Sequence, residues 1–214
     1  MPDLPHRTAL VLSGGGARGA YEAGVVAGLV DVLGHLHIDL VAGTSVGAIN
    51  ATYLASHADQ DDLGITQLLQ LWTELSPRTH LRPERHPLRH RAFLDVGPFE
   101  DVVKRGIRWG ALAENLDRGR LDGLFIAALE VASGRTAVFA DLAPTTHFAP
   151  SRDPRRVAVP CRITADHVLG SAAIPLVFPA RRVGDHYYCD GGIRFNTPMS
   201  PAIRAGANKL VVIS

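Results

Sequence analysis

Short apolar runs alternate with amphipathic stretches along this chain, a pattern that predicts strands followed by helices. The run Thr8–Ser13 ends at three glycines, and apolar residues then recur at helical spacing through Ala20–Leu33. Residues 76–98, with four prolines and five arginines, are predicted to be irregular. Further strands are predicted at Asp39–Ala42, Gly123–Leu129, Arg135–Phe139, Tyr187–Cys189 and Lys209–Ser214, and further helices at Val46–Ser56, Gln67–Leu75, Thr164–Ala173 and Pro198–Ala205.

The alternation of strands and helices predicts an α/β fold. We expect a three-layer sandwich with a mostly parallel central sheet and helices on both faces. At 214 residues the chain is long enough for one large domain, and we expect a single domain over residues 1–214. The apolar run Leu210–Ile213 reaches the end of the chain without a cap or tail, which leaves open a truncation there.

Composition and charge exclude several classes of protein. Hydrophobic residues make up 46% and charged residues 20%, which is too apolar for disorder. The 22 Lys and Arg against 21 Asp and Glu argue against a nucleic-acid partner. Cys161 and Cys189 cannot form a disulfide scaffold, and no Cys/His cluster has the spacing of zinc ligands. Neither a signal peptide nor a transmembrane segment is recognised, which favours a cytoplasmic protein.

Residues 14–19, with the sequence GGGARG, lie between the first predicted strand and helix. Consecutive glycines can turn backbone N–H groups inward beside the positive end of a helix, which favours an anion. The anion could be a transition-state oxyanion or a phosphate, because the spacing also fits a dinucleotide-binding loop. Asp39 opens the second strand, whereas a ribose-binding acid belongs at that strand's carboxyl end. Taken alone, the loop is equally consistent with an oxyanion site, a nucleotide site and a plain turn.

The sequence GTSVG at residues 43–47 follows the second strand and leads into a helix. This is the G-x-S-x-G pattern of a nucleophile elbow, in which Ser45 would stand at a helix N-terminus. Ser45 could instead be an ordinary N-cap residue. A catalytic serine needs a base, yet no histidine stands in a motif after Ser45 and none follows Asp190. Structural or surface roles are favoured for His90, His147, His167 and His186.

Asp190, Gly191 and Gly192 follow a predicted strand, at the kind of position where catalytic groups collect in an α/β sheet. An acid before two glycines is most often only a turn. Asp190 could also accept the Ser45 proton directly, in a dyad without histidine. A carboxylate is a weak base in water, but partial burial strengthens it.

Together these residues resemble the patatin-like phospholipase family, lipid acyl hydrolases with a Ser–Asp dyad. The resemblance covers about Thr8 to Ser214 and includes the flanking stretches Ser171–Pro175 and Asn196–Pro198. Three motifs match in the family's order: the glycine-rich loop Gly14, Gly15, Gly16, Ala17 and Arg18; the nucleophile motif Gly43, Ser45 and Gly47; and the motif Asp190, Gly191 and Gly192.

The resemblance implies hydrolysis of a lipid or acyl ester through an acyl-enzyme, without a cofactor. Ser45 would be the nucleophile and Asp190 the general base, while residues 14–18 would form the oxyanion hole, with Arg18 bracing the loop or meeting a lipid phosphate. An acyltransferase or a thioesterase on the same scaffold, or a non-catalytic phosphate-binding domain, is the alternative. Residues 76–120 match nothing in the family pattern, so the headgroup and chain length stay open.

An excess of arginine between positions 78 and 91 suggests contact with an anionic membrane. Five arginines stand there against the single acid Glu84: Arg78, Arg82, Arg85, Arg89 and Arg91. Each basic residue near such a surface contributes roughly 1 kcal/mol. A solvated loop, or arginines paired with acids elsewhere, would explain the same pattern.

Overall fold

The computed structural model describes residues 6–76, 80, 82–84, 93–95 and 97–214. Ten strands lie in this part of the chain: β1 Thr8–Leu12, β2 Leu40–Thr44, β3 Arg82–Pro83, β4 Leu94–Asp95, β5 Gly123–Glu130, β6 Thr136–Leu142, β7 Arg156–Pro160, β8 Arg181–Val183, β9 His186–Asp190 and β10 Lys209–Ile213. Seven helices are described as well: α1 Gly19–Leu33, α2 Val46–Ser56, α3 Ile65–Glu74, α4 Gly97–Gly106, α5 Trp109–Asp117, α6 Ala165–Ser171 and α7 Met199–Arg204.

A single central sheet has the strand order β10-β1-β2-β5-β6-β7, with β9 pairing β5 and β8 pairing β9. Four strands in a row, β10, β1, β2 and β5, are parallel neighbours. Strand β6 is antiparallel to β5, and β7 is parallel to β6. The expectation of an α/β fold with a mostly parallel central sheet is confirmed.

Alternate residues of the central strands enter two separate cores, because successive side chains of a strand point to opposite faces. One core joins residues such as Leu10, Val41 and Ile126 to the buried faces of six helices, α1 to α6. The other joins Val11 and Phe125 to α7 and to the loop around Phe195. Helices therefore cover both faces, as predicted, but among the described helices only α7 contributes to the second core.

The elements follow the predicted ones closely where the sequence pattern is strong. Helix α2 has the predicted bounds, and β2 begins one residue later than predicted and continues to Thr44. Helices α4 and α5 and strands β7 and β8 are additional. Residues 76–98 are not wholly irregular, since β3 and β4 form an antiparallel pair there. Helix α4 begins at Gly97 and Pro98, residues that indicate a loop unless a neighbouring apolar surface stabilises the helix.

Two predictions from the sequence concern membranes: that no segment spans one, and that residues 78–91 contact one. No helix in the described ranges has both the length and the apolar character that crossing a membrane requires. Most of the arginine-rich stretch, including Arg78, Arg85, Arg89 and Arg91, lies outside the described residues. The predicted contact between residues 78–91 and an anionic membrane therefore stays a prediction.

Candidate active site

Ser45 lies at the sharp turn between β2 and α2, in a backbone conformation that non-glycine residues rarely adopt. Its φ is 56° and its ψ is −126°, and the residue is 5% exposed. The side chain caps no N–H of α2. Ser45 is therefore not the ordinary N-cap that the sequence left open, and the strained turn directs its hydroxyl elsewhere.

The two glycines of this turn leave no space for a side chain. A Cβ atom on Gly43 would overlap the backbone of Gly47, and one on Gly47 would overlap the carbonyl of Leu12. Strand β1, strand β2 and helix α2 thus meet at van der Waals distance around the serine. The G-x-S-x-G spacing follows from this packing, because larger residues would push α2 away from the sheet.

Strand β9 brings Asp190 to the end of β2. The last residue of β2, Thr44, pairs with Ala127 of β5, and Asp190 pairs with the next residue, Ala128. The two strands therefore follow one another along the same side of β5, one parallel to it and the other antiparallel. This arrangement places Asp190 beside Ser45, although the two are 145 residues apart in sequence.

The Ser45 Oγ donates a hydrogen bond of 2.6 Å to Asp190 Oδ2. The other carboxylate oxygen, Oδ1, accepts the Gly192 N–H at 2.7 Å. Burial raises the pKa of Asp190 above its usual value, while the bonds from Ser45 and Gly192 act in the opposite direction. A buried carboxylate that touches a strained serine hydroxyl is suited to accept the hydroxyl proton.

Ser171, which carries no role in the sequence analysis, supports the nucleophile from α6. Its hydroxyl accepts the Ser45 N–H at 2.9 Å and donates to the Ala127 carbonyl at 2.6 Å. The side chain is fully buried. Ser171 therefore ties the backbone of Ser45 to β5. Its position within the flanking stretch Ser171–Pro175 was the sequence signal that could have identified it.

The glycine-rich loop lies beside the dyad, between β1 and α1. The Gly14 N–H donates to the Asn196 carbonyl at 3.1 Å, and the Arg18 N–H donates to Gly15 at 3.2 Å. No backbone hydrogen bond found between described residues engages the N–H groups of Gly15, Gly16 or Ala17. All three residues are exposed, and Gly16 has a φ of 58°. The N–H groups of Gly15, Gly16 and Ala17 are therefore available to a ligand, whereas the Gly14 N–H anchors the loop to Asn196.

A buried polar network fixes α1, which carries the loop, to α2, which carries the nucleophile. The Asn50 amide donates to Glu22 at 3.0 Å and to the Gly19 carbonyl at 2.9 Å, and it accepts the Trp72 indole N–H at 3.0 Å. Glu22 is 2% exposed, and burial raises its pKa to about 7. At pH values below 7 this carboxyl group is mostly neutral, and a neutral group can remain inside the protein without a cation.

A largely apolar cleft of about 390 Å³ opens at Ser45. Its volume lies in the range of small-molecule binding sites. Gly16 and Ala17 of the glycine-rich loop line it, and Ser76 and His80 are its polar wall residues apart from the nucleophile. Aromatic and aliphatic side chains make up most of the wall: Ala20, Val46, Ile49, Trp72, Leu75, Leu94, Phe99, Ala172, Ile174, Val177 and Phe178.

Two of the candidate histidines have other contacts, and His147 lies in the loop after β6. His167 binds Thr164 and packs edge-on against Phe139, and His186 contacts Glu130. Of the hydrogen bonds between described residues, none joins a histidine to Ser45 or Asp190. Within the same part of the chain, no group of three or more His, Cys, Asp and Glu side chains could hold a metal ion. His90 lies outside the described residues.

Comparison with known proteins gives one family. The model of the patatin-like phospholipase family matches residues 10–203. A curated relative, the cGAMP-activated phospholipase of Pseudomonas aeruginosa (strain BWHPSA011 / Pa011), is 29% identical over 206 residues, which are 92% of this chain and 56% of the relative.

The fold also resembles a solved structure, that of VipD from Legionella pneumophila. The TM-score is 0.56 at 16% sequence identity, over 98% of this chain and 49% of VipD. At that identity the likeness concerns the fold alone. The chain thus spans about half the length of both proteins.

Proposed function

Because this chain belongs to the patatin-like phospholipase family, we propose that it is a serine lipid acyl hydrolase acting through Ser45 and Asp190. Its substrates are fatty-acyl esters of the phospholipid, lysophospholipid or simple ester type. One observation carries the proposal: the 2.6 Å hydrogen bond from Ser45 Oγ to Asp190 Oδ2, beside a largely apolar cleft that Ser45 lines. The bond supplies a nucleophile with its base, and the cleft supplies a site for an acyl chain.

In the first half of the reaction, Ser45 Oγ attacks the acyl carbonyl and its proton passes to Asp190 Oδ2. The carbonyl oxygen becomes an oxyanion. The N–H groups of Gly15, Gly16 and Ala17, in the loop that lines the cleft, are the donors that we assign to it. Fixed donors of this kind typically contribute a factor of about 10² to 10³ in rate each. The C–O bond to the alcohol then breaks, and the departing alkoxide takes the proton from Asp190.

In the second half, water hydrolyses the acyl-enzyme. Asp190 accepts a proton from the water as its oxygen attacks the acyl carbonyl, and it returns that proton to Ser45 Oγ as the ester bond breaks. The free fatty acid leaves, and the dyad regains its starting state. The hydrogen bond from the Gly192 N–H holds the Asp190 carboxyl group in one orientation through both halves.

The acyl chain fits the cleft because burial of its methylene groups in an apolar environment is favourable, at about 0.8 kcal/mol each. Trp72 and Phe99 line the cleft together with aliphatic residues from α1, α2 and the segment after α6. Arg18 lies in the loop at the entrance, and its alkyl chain packs over Gly15. That position suits either a role in bracing the loop or contact with a lipid phosphate.

The test is hydrolysis of p-nitrophenyl acyl esters across pH by the wild type, by Ser45→Ala and by Asp190→Asn. We expect both variants to fold and to lose at least about 10³-fold in kcat/KM, because each removes one member of the dyad. The wild-type rate should fall on the acid side at a pH above 3.8, since Asp190 must be ionised to act as base and its pKa is raised. A fluorophosphonate probe should label Ser45 in the wild type.

Ser200→Ala is the matched control, because that serine contacts Arg156 away from the dyad. Its activity and its labelling should equal those of the wild type. Hydrolysis that survives in Ser45→Ala would mean that another residue is the nucleophile. Wild-type rates in Asp190→Asn would exclude Asp190 as the base.

A further inference from the structure

Four large apolar side chains are exposed on segments next to the cleft or the dyad: the turn after α6, the residue before β4 and the residues after β9. Leu176 is 72% exposed, Phe93 64%, Ile193 55% and Ile174 38%. Single exposed apolar residues are common on protein surfaces. Several of them on adjoining segments form a patch, and patches of this kind mark interaction sites.

Backbone contacts connect these side chains to one another and to the dyad. The Phe93 N–H donates to the Leu176 carbonyl at 3.0 Å, so the two residues are neighbours. Ile174 belongs to the same turn as Leu176 and also lines the cleft. Ile193 stands three residues after Asp190, whose N–H donates to the Ala173 carbonyl at 2.9 Å. Ile174 therefore joins the patch to the cleft, and Ile193 lies close in sequence to the aspartate of the dyad.

Leu176 is also strained. Its φ is 70°, in the left-handed region where a bulky residue is a genuine outlier. It stands in a turn closed by a hydrogen bond from the Phe178 N–H to the Ile174 carbonyl, at 2.8 Å. Folding buries little of this side chain, so the fold gains no packing in return for the strain. Strain of this sort is typical of functional positions.

Two arginines without an acidic partner among the described residues stand beside the patch. Arg194 follows Ile193 directly and is exposed, and Arg18 is exposed over Gly15. Most other arginines of the described chain form ion pairs, as Arg181 does with Glu100 and Asp166. Elsewhere in the described chain, Arg120, Arg152 and Arg204 also have no acidic partner. Asp153 lines a shallow pocket together with Arg194, but its carboxylate already contacts Arg155 and Arg156. Asp95 is the acid nearest in sequence to Phe93, and its carboxylate accepts the Gly97 N–H.

We propose that this mouth surface, formed by Phe93, Ile174, Leu176, Ile193, Arg18 and Arg194, docks on an anionic phospholipid membrane. The apolar side chains enter the boundary between headgroups and acyl chains, and the arginines meet lipid phosphates. The inference rests on the proposed function, because docking there would let an acyl chain pass from the bilayer into the cleft. A membrane fits better than a protein partner, since the patch includes Ile174, which also lines the cleft that an acyl chain would enter.

Vesicle flotation with the Ser45→Ala protein tests the surface separately from catalysis. The vesicles contain either phosphatidylcholine alone or phosphatidylcholine with phosphatidylglycerol in equal amounts. The double variant Phe93→Asn/Leu176→Asn should partition at least about tenfold more weakly into mixed vesicles, because it removes two apolar side chains. Asparagine tolerates the left-handed conformation, so the turn at residue 176 should be kept. Arg194→Gln should lose about fivefold on mixed vesicles and nothing on phosphatidylcholine.

The matched control is Val32→Gln/Leu33→Gln. Those side chains are 81% and 55% exposed, but they lie at the far end of α1 from the cleft. The control should bind vesicles as the parent protein does. Equal binding by the Phe93/Leu176 variant and its parent, or no binding of the parent to either vesicle type, would overturn the inference.

Hydrolysis of a water-soluble short-chain ester keeps the two proposals distinguishable. With Ser45 intact, the Phe93/Leu176 variant should retain wild-type turnover, since neither side chain lines the cleft. If the wild type binds vesicles through this surface but hydrolyses no ester, the docking proposal is supported and the proposed function is rejected. If the double variant also loses turnover, its weaker vesicle binding could come from misfolding. The docking proposal is then judged by whether Arg194→Gln weakens binding to mixed vesicles but not to phosphatidylcholine vesicles.

Discussion

At the scale of single residues, the absence of side chains shapes this site as much as their presence. Gly43 and Gly47 allow β2 and α2 to approach closely enough to hold Ser45 in its strained conformation. Gly191, the residue after the dyad's aspartate, also packs directly on the Ala127 carbonyl. The motif glycines therefore act through backbone distance, which a methyl group is sufficient to disturb.

We predict opposite effects of alanine at two glycines. Gly43→Ala should lose activity and destabilise the fold by about 1–3 kcal/mol or more, because its methyl group would overlap the Gly47 backbone. Gly24→Ala should stabilise the protein by about 0.5–1 kcal/mol, since Gly24 lies within α1 with nothing within 4 Å of its missing Cβ. Urea denaturation and ester hydrolysis measure both effects. Equal stability of the two variants would contradict the packing argument.

At the scale of elements, the network of Glu22, Asn50 and Trp72 joins α1, α2 and α3. Each partner lies on a different helix, and the network packs directly behind the glycine-rich loop and the nucleophile turn. Gly19, where α1 begins, lies against Trp72 and Val46 so closely that no side chain would fit. The relative position of loop and nucleophile thus depends on three helices that share one buried contact.

We predict that Glu22 makes stability depend on pH. Its pKa is about 7 in the folded protein, against 4.5 as the ordinary value. Between these two values the folded state keeps a proton that the unfolded state has lost, so stability falls as pH rises from 4.5 to 7. The full effect, about 3 kcal/mol, is reached above pH 7. Glu22→Gln should abolish this dependence and be the more stable protein at pH 8.

Urea denaturation of the wild type and of Glu22→Gln at a series of pH values provides the measurement. Glu114→Gln is the control, because Glu114 is an exposed glutamate on α5 that pairs with Arg118. That pair should contribute no more than about 1 kcal/mol. Parallel pH profiles for the wild type and Glu22→Gln would show that Glu22 does not titrate in this range.

At the scale of the whole molecule, both thiols are desolvated and lie in different parts of the sheet. Cys189 is buried in β9, and Cys161 follows β7 and is partly buried against the larger core. Burial raises the pKa of Cys161 to about 11 and raises that of Cys189 as well. Because only a thiolate reacts with an alkylating reagent, both thiols should stay unreactive while the sheet is intact.

We predict that alkylation by iodoacetamide at pH 8 reports the opening of the fold. Cys161 should react about 100-fold more slowly in the native protein than in urea, since its thiolate fraction falls by roughly that factor. Cys161→Ser and Cys189→Ser proteins separate the two rates. Rapid labelling of Cys161 in the native protein would show that this edge of the sheet opens without global unfolding.

The order of the elements was predictable because the signals that define it are local. Strand β1, helix α1 and helix α2 were recognised from apolar spacing and from the glycines that interrupt it. Helices α4 and α5 were not predicted, because Gly97 and Pro98 indicate a loop and the helices depend on packing against distant partners. Strand β8 has only three residues, and β7 is the outermost strand next to β6. Pairing with β9 and β6 defines these two strands.

The sequence by itself determined which residues could carry the chemistry. A serine between two closely spaced glycines, and an aspartate before two more, reflect backbone conformations that few other residues can adopt. Tertiary structure alone decided that these groups meet: β9 continues the line of β2 along β5 and places Asp190 within 2.6 Å of Ser45. It also decided the cleft, the Ser171 contact and the exposed strained leucine beside the opening. The conformational preference of a residue depends on its own type and its neighbours in sequence, whereas the distance between remote residues depends on strand pairing and packing.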